Sequence, residues 1–371
     1  MSLPTDREFT ESDKRFMTRA MELAERGLNT ATPNPRVGCV IVNDGRIVGE
    51  GWHQRAGEPH AEINALRDAG ALAKGAVVYV TLEPCNHHGR TAPCAEALID
   101  AGVATVNFAV SDPNPQVSGA GAARLVAAGI EVKGGLLEGQ AATLNQGFFK
   151  RMHTGLPHVA VKMAMSLDGR TAMANGESQW ITSAAARAQV QRLRAKSCAI
   201  MTGVGTVLHD NPSLDVRESQ LGQAVERQPA LVVIDRNLKT PVDATIFQSS
   251  ERSLIFICGD KACQERRNAL AESGNQVFSL PLNDKGYFEW QPVMALLAQC
   301  GFNEVLVESG AGLAGSLLAQ RAIDELHLFV APKILGATGR PLFDLSLTSM
   351  RDAVGVNTVS YTHLTLPTSP K

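Results

Sequence analysis

Four residues between positions 60 and 94 have the side chains and the spacing of a catalytic metal site. His60 offers an imidazole, Cys85 and Cys94 offer thiols, and Glu62 follows the histidine by two residues. One imidazole and two thiolates can hold Zn²⁺ as three of four tetrahedral ligands, which leaves one position open for water. Zinc lowers the pKa of such a water from about 15.7 to roughly 7. The pattern therefore predicts hydrolysis, with Glu62 as a proton carrier that does not bind the metal.

The same residues match the zinc-deaminase pattern only in part. His-x-Glu fits its first half, but the second half is Pro-Cys-x-x-Cys, and here eight residues separate Cys85 from Cys94. His87 and His88 lie in this insert and are rival ligands, which we instead assign to a loop that touches substrate. Cys39 we interpret as a core residue. Alternatively, the histidine could be an ordinary core or surface residue and the two cysteines an opportunistic pair. The presence of all four residues in this pattern makes that alternative less favoured.

Local sequence predicts how these side chains are positioned. Residues 60–69 have the composition of a helix, which places the histidine and the glutamate in its first turn. Residues 76–82 are an apolar, β-branched run typical of a buried strand. Thr91 is the expected N-cap of a second helix over 93–101, where the helix dipole favours a thiolate. Two helix starts and one strand end are thus expected to converge.

Length and composition limit what surrounds this centre. The 371 residues suggest two or three domains, and 44% apolar content can fill their cores. With 35 basic and 37 acidic residues the net charge is −2, so the chain lacks the basic footprint of a nucleic-acid-binding protein. The N-terminus has no apolar signal region and no stretch approaches membrane-spanning length, which predicts a cytoplasmic protein without a membrane partner. The seven scattered cysteines indicate reduced thiols.

The first part of the chain alternates helices and strands. The elements expected besides those above are a helix over 11–27, a strand over 37–42, a hairpin turn at 43–45 with a return over 46–52, a strand over 105–110 and a helix over 119–128. This order predicts a three-layer α/β/α domain. Asn34 precedes the strand that faces the zinc region. It either hydrogen-bonds a ligand or shapes the turn, and the sequence leaves both open.

The pattern resets at residues 145–157, which we interpret as a helix end and a linker. Beyond it the expected elements are a strand over 159–165 with a turn at 168–169, a helix over 183–196, a strand and glycine-containing turn over 199–207, and strands over 230–235, 253–258 and 304–308.

A glycine-rich turn follows the last of these strands. Residues 310–315 form Gly-x-Gly-x-x-Gly at the start of a helix. Glycines let backbone N–H groups approach a phosphate, whose charge the helix N-terminus favours. The turn comes too late in its domain for a dinucleotide-binding Rossmann unit. We expect phosphate binding without a Rossmann domain; tight packing of a helix on a strand through glycines is the alternative.

Longer runs resemble the bifunctional deaminase/reductase family of riboflavin biosynthesis. The deaminase half is carried by PNPRVGCVIV, GWHQRAGEPHAE, TLEPCNHHGRTAPC, SDPNPQVSG and LNQGFFKRM, and the reductase half by VKMAMSLDGRTA, GESQWITS, GVGTVLHDNPSL and VESGAGLAGSLL. The family has the long insert between the two cysteines. The resemblance implies a cytidine-deaminase-like domain over 1–152 and a dihydrofolate-reductase-like α/β domain over 153–358. Residues 359–371, with two prolines, do not resemble the family's final strand and suggest a non-native tail.

The resemblance also implies an activity. The first domain would remove the 2-amino group of 2,5-diamino-6-ribosylamino-4(3H)-pyrimidinone 5′-phosphate with zinc, and the second would use NADPH to reduce the ribosyl chain, giving 5-amino-6-(5-phosphoribitylamino)uracil. A small-molecule substrate and a homo-oligomer without nucleic acid are expected. His60, Cys85 and Cys94 carry over as zinc ligands and Glu62 as the catalytic residue.

Reductase positions carry over in the same way. Those implied to contact the cofactor are Ala164, Trp180, Thr206, Asp210, Gly310, Ala311, Gly312, Leu313, Ala314, Gly315 and Ser316. Those implied to contact the substrate are Lys162, Ser178, Arg194, Leu214, Arg217 and Glu308. Arginine suits bidentate recognition of a phosphomonoester.

The sequence leaves several residue roles and two competing classes of protein open. Lys162 or a water molecule could donate the proton that accompanies hydride transfer. Arg194 could instead be a solvated helix charge and Trp180 a core aromatic residue. A nucleoside or nucleic-acid deaminase with an added binding domain, and a second half that only binds nucleotide, are the competing classes of protein.

Overall fold

The computed structural model describes residues 9–86, 93–114, 118–178, 184–249 and 252–357. The helices are α1 (Glu11–Glu25), α2 (Ala61–Ala69), α3 (Cys94–Asp100), α4 (Ala120–Ala127), α5 (Glu138–Leu144), α6 (Gln146–Thr154), α7 (Ala184–Lys196), α8 (Val204–Asp210), α9 (Glu218–Leu221), α10 (Gln264–Glu272), α11 (Trp290–Gln299) and α12 (Ala311–Ala319). The strands are β1 (Gly38–Asn43), β2 (Arg46–Trp52), β3 (Val77–Leu82), β4 (Thr105–Val110), β5 (Glu131–Gly134), β6 (His158–Ser166), β7 (Arg170–Ala172), β8 (Ala199–Gly203), β9 (Ala230–Ile234), β10 (Leu254–Gly259), β11 (Gln276–Leu280), β12 (Glu304–Glu308), β13 (Glu325–Ala331) and β14 (Arg340–Pro341).

The first sheet contains, within the described residues, five strands in the order β2-β1-β3-β4-β5. The hairpin strands β1 and β2 are antiparallel, and β1 is also antiparallel to β3. From β3 onward the neighbours are parallel. Parallel pairs need helical crossovers, and α3 and α4 supply them between β3 and β5. The helix α1 begins with a capping box between Thr10 and Asp13.

Three glycines in the hairpin show why helices cover both faces of this sheet. A Cβ on Gly38 would lie 1.9 Å from the carbonyl oxygen of Ala20 in α1. A Cβ on Gly51 would lie 2.4 Å from the carbonyl oxygen of Ala61 in α2, and Gly49 packs on α2 in the same way. Gly51 pairs with Cys39, the residue after Gly38. Because consecutive residues face opposite sides of a strand, α1 and α2 lie on opposite faces, and the three-layer prediction is confirmed.

The second sheet is parallel throughout. The described part of the chain gives it seven strands in the order β11-β10-β9-β8-β12-β6-β13. Residues of α11 and α12 pack on one face and residues of α8 and α10 on the other. Covered faces are expected for a parallel sheet, whose strands are apolar on both sides. The α/β class of this half is confirmed, and the carboxyl ends of its strands share one edge.

Two predicted loops are helices. Residues 145–157 were expected as a helix end and linker, but α6 occupies most of this stretch and packs on β6. The glycine-containing turn expected within 199–207 is the start of α8, and Val207 is buried against the second sheet. In both places tertiary packing outweighs local propensity. The predicted domain boundary at 152/153 falls inside α6.

Strands β11 and β13 were not anticipated from the sequence. Polar residues interrupt both, and Glu325 and His327 break the apolar run of β13. Each forms an edge of the second sheet as far as the described residues show, where one side of a strand is less buried and the apolar signal is weaker. In the same residues, no helix combines the length and the apolar character needed to cross a bilayer.

Close packing of α2 on the hairpin predicts opposite effects for two glycine substitutions. Gly51→Ala forces a methyl group against the α2 backbone and should lower the free energy of unfolding by about 2 kcal/mol. Gly139→Ala lies in α5 with open space around the new methyl group and should raise it by about 0.5–1 kcal/mol. Urea unfolding of both variants measures this. A destabilised Gly139→Ala or a neutral Gly51→Ala would contradict the packing.

Candidate functional site

The ends of three elements in the first half bring the predicted metal ligands together. His60 is the N-cap of α2 with extended backbone angles, so its side chain lies at the helix start. Cys85 follows β3 by three residues, and Cys94 is the first residue of α3. The backbone N–H of Ala95 donates to the carbonyl of Cys85, which ties the start of α3 to the strand end.

The side chains converge on one point. The Nδ1 atom of His60 lies 3.2 Å from Cys94 Sγ and 3.5 Å from Cys85 Sγ. All three ligand atoms lie within 4.8 Å of one another. Glu62 is 4% exposed and lies in the first turn of α2. The predicted insert between the cysteines therefore does not prevent convergence, although His87, His88 and the expected N-cap Thr91 lie outside the described residues.

Charge within this cluster favours a bound cation. The hydrogen bonds from Cys94 and then His60 lower the pKa of the Cys85 thiol to about 4. The hydrogen bond to Cys85 raises the pKa of His60, although burial opposes this. Burial first, and then the charge of Cys85, raise the pKa of the Glu62 carboxyl to about 7. Acidic groups packed this closely repel one another when ionised, and a cation would relieve that repulsion.

The donor set fits zinc. Two thiols and one imidazole are the borderline-soft ligands that zinc prefers, and tetrahedral ligand atoms about 2.0–2.3 Å from a zinc ion lie roughly 3.5 Å apart. The distances from His60 Nδ1 to the two sulfurs agree with this spacing. The burial of Cys94 and Glu62 also restricts water access. His60, Cys85 and Cys94 could therefore hold the ion, with Glu62 beside it.

His53 lies beside the ligands, and the sequence alone assigned it no role. It is 2% exposed, and its ring meets that of His60 edge-on with centroids 5.5 Å apart. Its Nδ1 lies 3.2 Å from the Pro59 carbonyl oxygen and its Nε2 lies 3.0 Å from Asn34 Nδ2. The neutral ring donates to the carbonyl and accepts from the amide. Burial lowers the pKa of His53, which favours this neutral form.

Glu83 fixes the strand end that carries Cys85. This buried carboxylate accepts hydrogen bonds from the backbone N–H groups of Asp112, Gly119 and Ala122. It thereby joins the end of β3 to the loop after β4 and to the N-terminus of α4. Its signal in the sequence is an acidic residue between an apolar strand and a Pro-Cys pair.

Most predicted reductase residues lie at the carboxyl edge of the second sheet. Thr206 and Asp210 follow β8, Gly310 follows β12, and Ala164 lies near the end of β6. These three strands are adjacent. Open parallel sheets bind ligands outside the carboxyl ends of their strands. The structure therefore brings the cofactor candidates from different parts of the sequence to one edge.

Three charged or titratable residues form a row across the adjacent strands β12, β6 and β13. Lys162 of β6 is in register with Glu308 of β12 and with His327 of β13. Residues in register project from the same face of a sheet, so the three side chains share one face. Glu308 and Lys162 were predicted to contact substrate, whereas His327 was not.

Arg194 and Glu308 bind each other. The guanidinium donates from Nε and Nη2 to the two carboxylate oxygens at 2.6 and 3.0 Å, and Nη1 donates to the carbonyl of Asp215. Both side chains are buried. Burial would raise the pKa of Glu308, but Arg194 outweighs it and lowers the pKa. Arg194 is thus the buried partner of Glu308 rather than a solvated helix charge.

Arg217, in the segment from 213 to 217, has a more exposed guanidinium than Arg194. Arg217 is exposed and donates to Asp215 and to the hydroxyl of Ser213. Leu214 is buried with φ of 51°, and its carbonyl accepts from Arg252. Arg252 also donates to the Ser213 carbonyl. The buried Leu214 and the Arg252 hydrogen bonds hold this segment, so Arg217 rather than Arg194 is available to a phosphate.

The glycine-rich turn divides into an open part and a packed part. Gly310 is the N-cap of α12, and a Cβ on Gly310 or Gly312 would meet nothing within 4 Å. Ala311 and Leu313 lie in the same first turn. Gly315 packs on the backbone of Asp344, and Ser316 accepts a hydrogen bond from Trp290. The first turn of α12 therefore leaves room for a cofactor phosphate. Ala314, Gly315 and Ser316 instead pack the helix against its neighbours, as the alternative interpretation of the glycines predicts.

Ser178 is exposed at the end of a described range. Trp180 and the tail at 359–371 lie outside the described residues.

Comparisons with known proteins agree with this division into two halves. Residues 10–110 match the family described as "Cytidine and deoxycytidylate deaminase zinc-binding region", and residues 157–364 match "RibD C-terminal domain". "Riboflavin biosynthesis protein RibD" of Escherichia coli K12 is 50% identical over 351 residues, covering 92% of this chain and 94% of that protein. Its Aquifex aeolicus counterpart is 40% identical, covering 93% and 94%.

Solved structures with the same architecture are similar over most of their length. Acinetobacter baumannii RibD aligns with a TM-score of 0.84 at 45% identity, covering 92% of both chains. A diaminohydroxyphosphoribosylaminopyrimidine deaminase/5-amino-6-(5-phosphoribosylamino)uracil reductase of Thermotoga maritima aligns with a TM-score of 0.79 at 34% identity, again covering 92% of both.

A zinc-binding deaminase fold followed by a parallel-sheet reductase fold defines a two-domain deaminase–reductase. The chain belongs to the RibD family of riboflavin biosynthesis proteins. Its cofactors are zinc in the first half and NADPH in the second, as both predictions stated. The open first turn of α12 at the sheet edge fits the phosphates of such a nucleotide.

Loss of one thiol should remove the metal. Cys85→Ser should purify with almost no bound zinc, because a neutral hydroxyl replaces the readily ionised sulfur. Cys263→Ser changes an exposed thiol on α10's N-cap and should retain zinc like the unmodified chain. Elemental analysis of both purified proteins measures this. Full zinc content in Cys85→Ser would exclude Cys85 as a ligand.

Proposed function

We propose that the chain hydrolyses the 2-amino group of 2,5-diamino-6-ribosylamino-4(3H)-pyrimidinone 5′-phosphate and then reduces the ribosyl chain of the product with NADPH. The single observation that carries this proposal is the convergence of His60, Cys85 and Cys94 beside buried Glu62 in a chain of the RibD family. Domains over 1–152 and 153–358, followed by an atypical tail at 359–371, complete the proposal.

In the first reaction, Glu62 moves the protons. When bound by His60, Cys85 and Cys94, zinc supplies the Lewis acidity that makes water a nucleophile near neutral pH. Glu62 takes a proton as water adds to the ring carbon and returns it to the departing amine, so that ammonia leaves and a carbonyl forms. The buried carboxyl lies in the first turn of α2, beside the N-cap ligand His60, which supports this role.

In the second reaction, the protein orients two reactants. NADPH supplies the hydride, and the open turn at Gly310, together with Thr206 and Asp210 after β8, would bind its phosphates and ribose. Ala164, Ala311, Gly312, Leu313 and Trp180 complete the proposed cofactor positions, and Ala314, Gly315 and Ser316 support the turn through their packing. The proton that accompanies the hydride comes from Lys162 or from water.

On the substrate side, Arg217 binds the phosphate and Lys162 lies near the ribose. Glu308 is held in place by Arg194, and Ser178 and Leu214 complete the proposed contacts. A phosphomonoester requires local positive charge in a chain whose net charge is −2.

We also propose a homo-oligomer in the cytoplasm without nucleic-acid or membrane partners. The near-balanced charge supports the absence of a nucleic-acid partner. All seven cysteines lie in the described residues as free thiols, which is the state expected in a reducing compartment.

The two activities should be separable at Glu62. Glu62→Gln should slow ammonia release by roughly 10²-fold or more, because the proton carrier is lost. Zinc content and NADPH-dependent reduction of a chemically supplied deaminated substrate should stay unchanged, since the ligands and the second half are intact. Glu58→Gln, an exposed neighbour, is the control. Parallel assays of ammonia release and NADPH oxidation test this prediction. Ammonia release at the normal rate in Glu62→Gln would exclude this role.

Phosphate recognition should depend on the exposed arginine. Arg217→Ala should raise the KM of the reductase for its phosphorylated substrate by roughly tenfold to a hundredfold, the range for a lost charge-assisted hydrogen bond. The KM for NADPH should stay constant. Arg192→Ala removes an exposed arginine from α7 and serves as the control. Equal KM values for Arg217→Ala and the unmodified chain would exclude Arg217 as the phosphate ligand.

A further inference from the structure

One segment of the first half borders the zinc ligands and also contacts the second half. Residues 28–36, which we name the bridging segment, connect α1 to β1. Within it, Asn34 lies 3.0 Å from His53, whose ring packs edge-on against His60. The position of the bridging segment therefore determines where the Asn34 amide and the His53 ring lie beside the ligands.

The second half holds this segment at three points. The Asn303 side-chain amide donates to the carbonyl of Pro33 at 2.7 Å. The Thr32 hydroxyl lies 2.7 Å from the thiol of Cys198. Arg227 donates to the carbonyl of Asn29 at 3.1 Å. Pro33, directly before Asn34, is thus bound by a residue of the reductase half rather than by the deaminase domain.

A further contact between the halves is a buried ion pair. Arg36 Nη1 and Nη2 donate to the two carboxylate oxygens of Glu304 at 2.8 and 2.6 Å. Arg36 is 6% and Glu304 is 8% exposed. The guanidinium also donates to the carbonyls of Leu144 and Lys196, and the Asn145 side chain pairs with the Arg36 backbone. Nearly every donor of this arginine is used, which fixes the end of the bridging segment.

We infer that Glu304 and Asn303 of the reductase half are positioning residues for the deaminase reaction. They hold the bridging segment so that Asn34 and His53 stay in place beside the zinc ligands and the pyrimidine. This inference rests on the proposed deaminase function. Both residues act through the bridging segment; Glu304 begins β12, and Glu308 ends it.

Two variants separate positioning from folding. Glu304→Gln removes the charge that fixes Arg36. Asn303→Asp removes the donor to Pro33 and keeps the Oδ1 acceptor that Arg151 uses. The KM for ammonia release should rise on the order of tenfold in Glu304→Gln, because small misplacements of binding groups are costly. It should rise roughly threefold to tenfold in Asn303→Asp, as for one lost hydrogen bond. The kcat should change much less in both.

Zinc content and the reduction of deaminated substrate should remain at wild-type levels in both variants. The control is Lys150→Gln, which removes the Lys150–Asp324 ion pair between α6 and the second half without touching the bridging segment. Its KM for ammonia release should not change. If Glu304→Gln does not fold, Asn303→Asp alone decides the question.

The outcomes distinguish this inference from the function it rests on. A wild-type chain that releases no ammonia overturns the proposed function. Normal wild-type release with an unchanged KM in Asn303→Asp and in folded Glu304→Gln overturns the inference alone. An equal rise of KM in Lys150→Gln also overturns it, because any weakened contact between the halves would then suffice.

Discussion

The contact between α2 and the glycines of β2 sets the geometry of the first half. Gly49 and Gly51 let the helix backbone approach the strand more closely than any side chain would permit. This approach places the start of α2, with His60 and Glu62, directly against β2 at Gly51. The thiols at the end of β3 and the start of α3 then meet the imidazole in a buried position, where charge repulsion favours a cation. Metal ligation is therefore a consequence of how tightly one helix packs.

The sequence predicted this centre well because its signals are local. His60 and Glu62 share one helical turn, and each cysteine follows a proline at the end or the start of an element. The strands and helices predicted for the first half agree with the structure within a residue or two, whereas β5 and α5 are missing from the prediction. The roles carried over by resemblance for individual side chains remain proposals.

The remaining features depend on contacts between distant parts of the chain. His53 and Arg36 have ordinary sequence surroundings, and only the fold brings His53 against His60 and Arg36 against the other half. Arg194 shows the same limit. Its helix predicted an exposed or ligand-binding charge, whereas its partner lies 114 residues away at the end of β12. Long-range ion pairs leave no periodic signal, so sequence patterns identify the elements but not which buried charges they pair.

Strand β12 carries a carboxylate at each end, and each is bound by a buried arginine from a different element. Removing one charge of a buried pair costs about 3–5 kcal/mol, because the other charge remains in a medium of low polarity. Substitution of either arginine alone by a neutral residue should therefore destabilise the protein. Among descendants of such a sequence, positions 36 and 304, and positions 194 and 308, should change together or not at all. A single short strand thus restricts evolutionary substitution in both catalytic halves.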